Sequence, residues 1–251
     1  MYYKYLPIER ITYFENELLR FSQAADLNDP FECLPQKPQR EDLYDTIRLA
    51  TQIFTNGNSD WENHALEKFN DEWIDNFYKN AYTNINRDIG ILSLSKNWKS
   101  SLMWAHYTVS HRGFCIGFDE NHDFFKDFLS SDKNTSRYTK DVLYSEKRAK
   151  IPTSLSEPTL TFEPFLTKSI EWAYENEVRV IATLNSASSV ITTEPYNICL
   201  FKVPHTALKE IILGVNIDSD SEKKIREFAE KSNIEIFKTK ISETEFDMER
   251  I

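Results

Sequence analysis

The sequence predicts a mixed α+β fold with strands distributed from end to end, and three observations carry that prediction. Short apolar runs rich in β-branched and aromatic residues recur along the whole chain. Between about residues 38 and 88 the pattern changes to helical spacing. No stretch is long or biased enough in composition to act as a linker, so residues 1–251 read as a single α+β domain with a helical insertion at 38–88.

Taken in order, Tyr2–Leu6 and Leu18–Ser22 are extended pieces joined by a polar segment. Asn28-Asp29-Pro30 is a turn, because Asn and Asp side chains bond their own backbone and Pro fixes φ. In the insertion, Leu43, Ile47 and Ala50 share one helical face, and Trp61, Ala65, Phe69, Trp73, Phe77 and Ala81 recur every four residues as a stripe expected in the core. Asn56-Gly57-Asn58 separates the two. Ile89–Leu94 and Gly113–Phe118 read as strands around a short helix at Trp98–Tyr107. Phe124, Phe125, Phe128 and Leu129 predict another helix, Val142–Tyr144 a strand, and residues 160–172 a helical approach to the next strand. The tail gives a strand at Glu210–Leu213, a helix capped by Ser219 or Asp220 with Ile225, Phe228 and Ala229 inward, and a strand at Ile234–Ile241.

Composition removes several function classes. The chain is 40% hydrophobic and 14% aromatic, enough for a packed core and incompatible with disorder. Its 5 glycines form no Walker-type or Rossmann fingerprint. Cys33, Cys115 and Cys199 are far apart and have no His at metal-ligand spacing, so they read as small buried residues in a reducing compartment. No run approaches the ~20 apolar residues of a membrane span and the first residues lack a basic leader, so a cytoplasmic protein without membrane attachment is expected. The net charge of -10 argues against broad binding to a phosphate backbone and leaves room for a local basic pocket. Lys96, Lys99 and Arg112, close in sequence, read as a solvated face.

The most informative stretch is Trp172-Ala173-Tyr174-Glu175-Asn176-Glu177-Val178-Arg179-Val180-Ile181-Ala182. Two carboxylates enter an apolar, β-branched run at a spacing of two, which on a strand puts Glu175 and Glu177 on one face. Such a pair either performs acid–base chemistry or pairs with Lys168 and Arg179 at a sheet edge. His106 and His111, five apart, lack a nearby third ligand. His106 reads as a hydrogen-bonded core residue or part of a pocket, and His111 as part of the turn into the next strand. His64, His122 and His205 read as surface or loop residues.

Tyr3-Lys4-Tyr5, Asn28-Asp29-Pro30-Phe31-Glu32, Met103-Trp104-Ala105-His106-Tyr107, His111-Arg112-Gly113-Phe114-Cys115-Ile116-Gly117-Phe118 and Trp172–Arg179 resemble, in order from residue 2 to about 214, a bacterial family catalogued as domain of unknown function family 2971. In addition, Ser93-Leu94-Ser95 at the end of a strand and Glu175-Asn176-Glu177-Val178 later on are similar to the Ser-Thr-Ser and Glu-x-Glu segments of arginine-type ADP-ribosyltransferases. Lys4 stands where those enzymes carry Arg or His on the first strand, and the 82 residues from Ser95 to Glu177 imply an insertion around 119–168.

That second resemblance implies a mixed, split β-sheet core and NAD as substrate, cleaved at the nicotinamide–ribose bond with transfer of ADP-ribose to a protein, nucleic acid, small molecule or water. It assigns Glu177 to the positive charge developing on the sugar and Glu175 to the acceptor. Ser93 or Ser95 would position the ribose or Glu177. Lys4, beside Tyr5, would meet the diphosphate, and an aromatic from Trp104, Tyr107 or Phe114 would stack on nicotinamide, with His106 in the same pocket. A toxin-like or phage-defence setting is implied by the same resemblance. Two other classes remain open: a metal-dependent hydrolase or nuclease built from Asp29, Glu32, Glu175, Glu177 and His106, and a non-catalytic sensor or interaction module.

Overall fold

The computed structural model describes residues 1–39, 41, 44, 47–48, 51–52, 55–68, 70–131, 134–150 and 163–251. Its strands are β1 (Tyr2–Leu6), β2 (Leu18–Phe21), β3 (Ile89–Ser95), β4 (Phe114–Phe118), β5 (Phe128–Leu129), β6 (Ser136–Asp141), β7 (Leu143–Ser145), β8 (Thr167–Ser169), β9 (Glu177–Thr183), β10 (Ser189–Ile191), β11 (Ile198–Lys202), β12 (Leu208–Leu213), β13 (Glu235–Ile241) and β14 (Met248–Arg250). Nine form one mixed sheet in the order β14-β13-β12-β4-β1-β3-β9-β6-β5, β10-β11-β2 form a second, and β7-β8 pair by themselves. Within the large sheet β12 and β13 run parallel and the other neighbours antiparallel.

Alternation along the strands divides the side chains between two faces. Leu92, Leu94, Val178, Val180, Phe114, Ile116 and Ile211 face a core completed by Tyr13, Phe21, Phe201 and the inward Ile225 and Ala229 of the helix Ser219–Ser232. Tyr3, Tyr5, Cys115 and Ile212 pack on the other side with Met103 and Trp104 of the helix Ser101–Tyr107. That helix starts where the Ser100 hydroxyl accepts from Met103 N at 3.3 Å.

The sheet is nearly interrupted between β1 and β3. They share the single pair Tyr3↔Ser95, whereas β1 and β4 pair from Tyr2 to Leu6 and β3 and β9 along the whole of β3. Past that pair the strands diverge, and Lys4 Nζ spans the gap by donating to Ser93 O at 2.8 Å.

Several expectations need correction. Phe124–Leu129 is not a helix: a 3-10 turn at Asp123–Phe125 precedes β5, because His122 caps the turn through Nδ1 to Phe124 N and the turn ends at Lys126. Residues 160–162 lie outside the described ones, and from 163 one helical turn, Glu163–Leu166, gives way to β8 and a 3-10 helix, Ile170–Glu175. Asp218, rather than Ser219 or Asp220, caps the last helix, its carboxylate accepting from Ser221 N at 2.9 Å.

The insertion contains the helices Ser59–Lys68 and Asp71–Asp88. Its aromatic stripe is not core. Trp61, Trp73 and Phe77 are 42%, 36% and 41% exposed, while Ala65 and Ile74 are the buried residues of these two helices and Tyr82 and Ile85 pack toward Ile91 of the sheet. Ile47 is buried; Leu43, Ala50 and Phe69 lie outside the described residues. Cys33, Cys115 and Cys199 are free and buried, and among the described residues no helix is long and apolar enough to cross a membrane.

Gly113 shows how closely β4 meets the chain leaving β1. A Cβ there would lie 2.1 Å from Leu6 O, a backbone atom that cannot move aside cheaply. Gly113→Ala is expected to destabilise the protein by about 2–3 kcal/mol, read from urea unfolding. A change within about 0.5 kcal/mol would show that the approach is not enforced.

Candidate functional site

Glu32, Lys168, Glu175, Glu177 and Arg179 converge behind the gap between β1 and β3. The Asn28-Asp29-Pro30 turn delivers the first: Asp29 Oδ1 accepts from Phe31 N at 2.9 Å and Asp29 O from Glu32 N at 3.0 Å, which turns Glu32 inward and Phe31 out. β8 carries Lys168. Ser169 caps the 3-10 helix that ends at Glu175, and Asn176, in the left-handed region at φ 44°, turns the chain into β9, which begins at Glu177.

Glu175 is therefore not on the strand, and period two is not what unites the two acids. Lys168 unites them. Its Nζ lies 2.6 Å from Glu175 Oε2, 3.0 Å from Glu177 Oε2 and 3.1 Å from Glu32 Oε1. Arg179, fully buried, donates through Nε to Glu177 Oε1 at 2.9 Å, through Nη2 to Glu32 Oε2 at 2.5 Å and through Nη1 to Phe165 O at 2.7 Å. The pairing with Lys168 and Arg179 thus exists, but in the sheet interior, since β9 lies between β3 and β6.

Tyr107 donates its hydroxyl to Glu175 Oε1 at 2.5 Å, and Asn28 Nδ2 donates to Tyr107 OH at 3.4 Å. Tyr144 OH accepts from Glu177 N at 2.7 Å. Ser95 Oγ donates to Glu175 O at 2.6 Å, so β3 also fixes the backbone from which Glu175 projects.

The two carboxyls are displaced in opposite directions. Burial pushes the Glu175 carboxyl upward and prevails over the Lys168 ammonium and the Tyr107 hydrogen bond. For Glu177 burial acts in the same direction, but Arg179 and Lys168, with the Ser93 side chain, outweigh it and bring the group down to about 2. Burial lowers Lys4 to about 8, against the pull of Glu177 and Glu175. Burial likewise raises Tyr107, reinforced by Glu175.

Of the residues singled out in the sequence, Lys4, Tyr5, Ser93, Ser95, Tyr107, Glu175 and Glu177 line one cavity of about 110 Å³. Trp104 and His106 do not line it. Trp104 is fully buried, donates Nε1 to Trp98 O at 2.7 Å and meets Tyr5 edge-on; His106 is exposed, with Nδ1 3.2 Å from Tyr174 OH. Phe114 lies in the opposite core. Sequence reasoning did not single out Arg20, which lines the cavity and whose Nε is buried without a partner. Nor did it assign Lys168 as the centre of the group. A lysine seven residues before Glu175 gives no local signal of that.

The donor set for a metal is not assembled. Asp29 is committed to its turn, His106 to Tyr174, and the Lys168 ammonium occupies the middle of the three glutamates; among the described residues no group of three or more His, Cys, Asp or Glu could hold a metal ion. On the far side of the Glu32–Lys168 pair lies a second cleft of about 820 Å³, which both residues also line.

The geometry defines a buried ionic centre opening on a sheet gap. A family model described as Protein of unknown function (DUF2971) matches residues 103–180. It contains Met103–Tyr107, His111–Phe118 and Trp172–Arg179 and bears out that family resemblance, whereas the blocks at 3–5 and 28–32 lie outside the matched stretch. No curated protein and no solved structure matches the chain.

Removing one partner from such a centre strands the others. Arg179→Met is expected to cost about 3–5 kcal/mol in urea unfolding, and the double change Arg179→Met with Glu177→Leu less than Arg179→Met alone. A double change that costs the full sum would overturn this reading. The pH dependence follows from Glu177: with its folded value at about 2 against 4.5, its stabilisation is complete above pH 4.5 and is lost as pH falls toward 2. Glu175, displaced upward, acts in the opposite sense. Glu177→Gln should therefore flatten the acid limb of stability between pH 4.5 and 2, and an unchanged limb would place its origin elsewhere.

Proposed function

We propose that this protein is an ADP-ribosyltransferase-like enzyme that cleaves the nicotinamide–ribose bond of NAD and passes ADP-ribose to an acceptor. The observation that supports this most is the meeting of Glu175, Glu177, Lys4, Ser93 and Ser95 in one cavity where β1 and β3 part. Those are the residues to which the resemblance assigns the roles. Of the cations, Lys4 is half-buried beside the gap, while Arg20 is paired through Nη2 with Asp26 and keeps only a buried Nε without a partner. The cavity of about 110 Å³ is below the ~300–1,000 Å³ of a complete ligand site. Entry of a whole dinucleotide therefore requires the gap to widen; the Lys4–Ser93 O bond crosses it, and the Tyr107–Glu175 bond joins two residues that line the cavity.

In this reading Glu177, held ionised by Arg179, faces the positive charge that develops on the ribose as the glycosidic bond breaks. Glu175, with the higher proton affinity, takes a proton from the acceptor. Tyr107 supplies the aromatic face, since Trp104 is committed to Trp98 O and Tyr5. A second reading, a non-catalytic binding module, is favoured by one observation: both oxygens of Glu177 are engaged by Arg179 and Lys168.

Nicotinamide release, with a cell lysate as the source of acceptors, separates the two. Glu177→Gln is expected to lower release by roughly two to three decades, or about 3–4 kcal/mol, while NAD binding persists. A folded wild-type protein that neither binds NAD nor releases nicotinamide would sink the enzyme reading. Lys4 adds a pH signature: NAD binding should weaken as pH rises through about 8 and the ammonium is lost, and Lys4→Arg should carry binding to higher pH. Binding that is flat across that range in both proteins would remove Lys4 from the site.

A further inference from the structure

The turn that sends Glu32 into the ionic centre leaves its neighbour Phe31 58% exposed on the cleft of about 820 Å³. That volume is in the range of nucleotide-sized ligands, ~300–1,000 Å³. Residues from the segments 29–39, 145–150 and 164–169 wall the cleft, and the segments are tied to one another. Gln36 N donates to Ala149 O at 2.7 Å and Gln36 Nε2 to Arg148 O at 2.5 Å, β7 and β8 pair beside them, and Tyr78 OH anchors Pro35 O at 2.6 Å. The backbone amide of Phe31 donates to the Asp29 side chain at 2.9 Å. A backbone held in this way leaves only the side-chain torsions to be ordered when a ring stacks on Phe31.

The charge beside it is positive, although the chain as a whole carries -10. Lys147, Arg148 and Lys150 fall within four residues on one wall and Lys37 on another, against Asp29 and Glu146, while Glu32 is paired with Lys168 and Arg179. The Arg148 guanidinium lies 5.9 Å from the centre of the Phe31 ring. Lys37 is engaged by Asp75, which leaves Lys147 and Arg148 as the cations on Phe31's side of the cleft for an anion to meet. An exposed aromatic face beside a guanidinium, in a cleft that an ammonium also lines, matches an aromatic base that carries a phosphate.

We propose that this cleft binds a nucleoside phosphate, with its base on Phe31 and its phosphate between Lys147 and Arg148. The site is separate from the cavity at Glu177 and does not depend on NAD cleavage. The acidic balance of the chain disfavours a long strand laid across the surface. The ligand is a free nucleotide or the phosphorylated end of an oligonucleotide, which share this chemistry.

Calorimetric titration of the whole protein with the four nucleoside 5′-monophosphates, the matching nucleosides and a 5′-phosphorylated oligonucleotide tests this. At least one monophosphate should bind saturably and its nucleoside at least tenfold more weakly. Phe31→Ala, and Lys147→Ala with Arg148→Ala, should each weaken binding by about tenfold. These side chains are exposed, so the melting midpoint should not move. An oligonucleotide that binds more tightly than the monophosphate identifies a strand end as the source, and one that does not identifies the free nucleotide. Absence of saturable binding at millimolar ligand overturns the proposal, as does binding that both sets of substitutions leave unchanged.

Discussion

Arg179 is a guanidinium with no access to water, and a buried charge that cannot shed its proton has to be answered by groups inside the fold. The answer comes from three directions: Glu177 two residues away, Phe165 O from the preceding excursion, and Glu32 from the other half of the chain. Lys168 closes the other side of all three glutamates. Desolvation consumes much of the Coulomb gain in such a group, so its effect lies in geometry more than in net stability. Three carboxylates against two cations leave one formal negative charge, and it is the gap between β1 and β3, where Lys4 enters, that faces this excess.

Two glutamates with one residue between them acquire different proton affinities because the backbone separates their surroundings. The left-handed Asn176 ends the 3-10 helix, so Glu175 points toward Tyr107 and Lys168 while Glu177, already on β9, lies along Arg179. Arg179 keeps one ionised; burial raises the other. Neighbouring carboxyls are driven apart in this way both in acid–base sites and in buried ion-pair networks.

The strands that form the sheet centre were legible because their residues are either alternating or continuously apolar: β1, β3, β4, β9, β12 and β13 all correspond to runs visible in the sequence. β6, Ser-Arg-Tyr-Thr-Lys-Asp, was not, because it is half-buried along most of its length and owes its place to pairing with β9. The exposed pairs of β5 and the short β10 and β14 carry too few residues to show a period. In the insertion the four-residue spacing correctly implied helices, yet said nothing about which face is covered, and the aromatics proved exposed. At the site the acids were readable as an anomaly in an apolar run. Their cations, Lys168 and Arg179, were readable as partners but were expected at a sheet edge, and the third acid, Glu32, was not readable as part of this ion-pair group, since its contact with Arg179 spans 147 residues and leaves no local trace.

The Glu32–Lys168 pair separates two cavities and belongs to the lining of both. Lys168 Nζ is shared among Glu32, Glu175 and Glu177, so its field is divided rather than reserved for one partner. An anion approaching Lys168 from the outer cleft competes with Glu175 for that field, and a weaker hold by the ammonium raises the proton affinity of Glu175 further in the direction burial already sets. Glu177 is buffered against the same change because Arg179 engages it from the other side. A charge placed beside Lys168 would therefore bear on Glu175 more than on Glu177. By linkage, the protonation state of Glu175 must act equally on whatever anion the outer cleft holds.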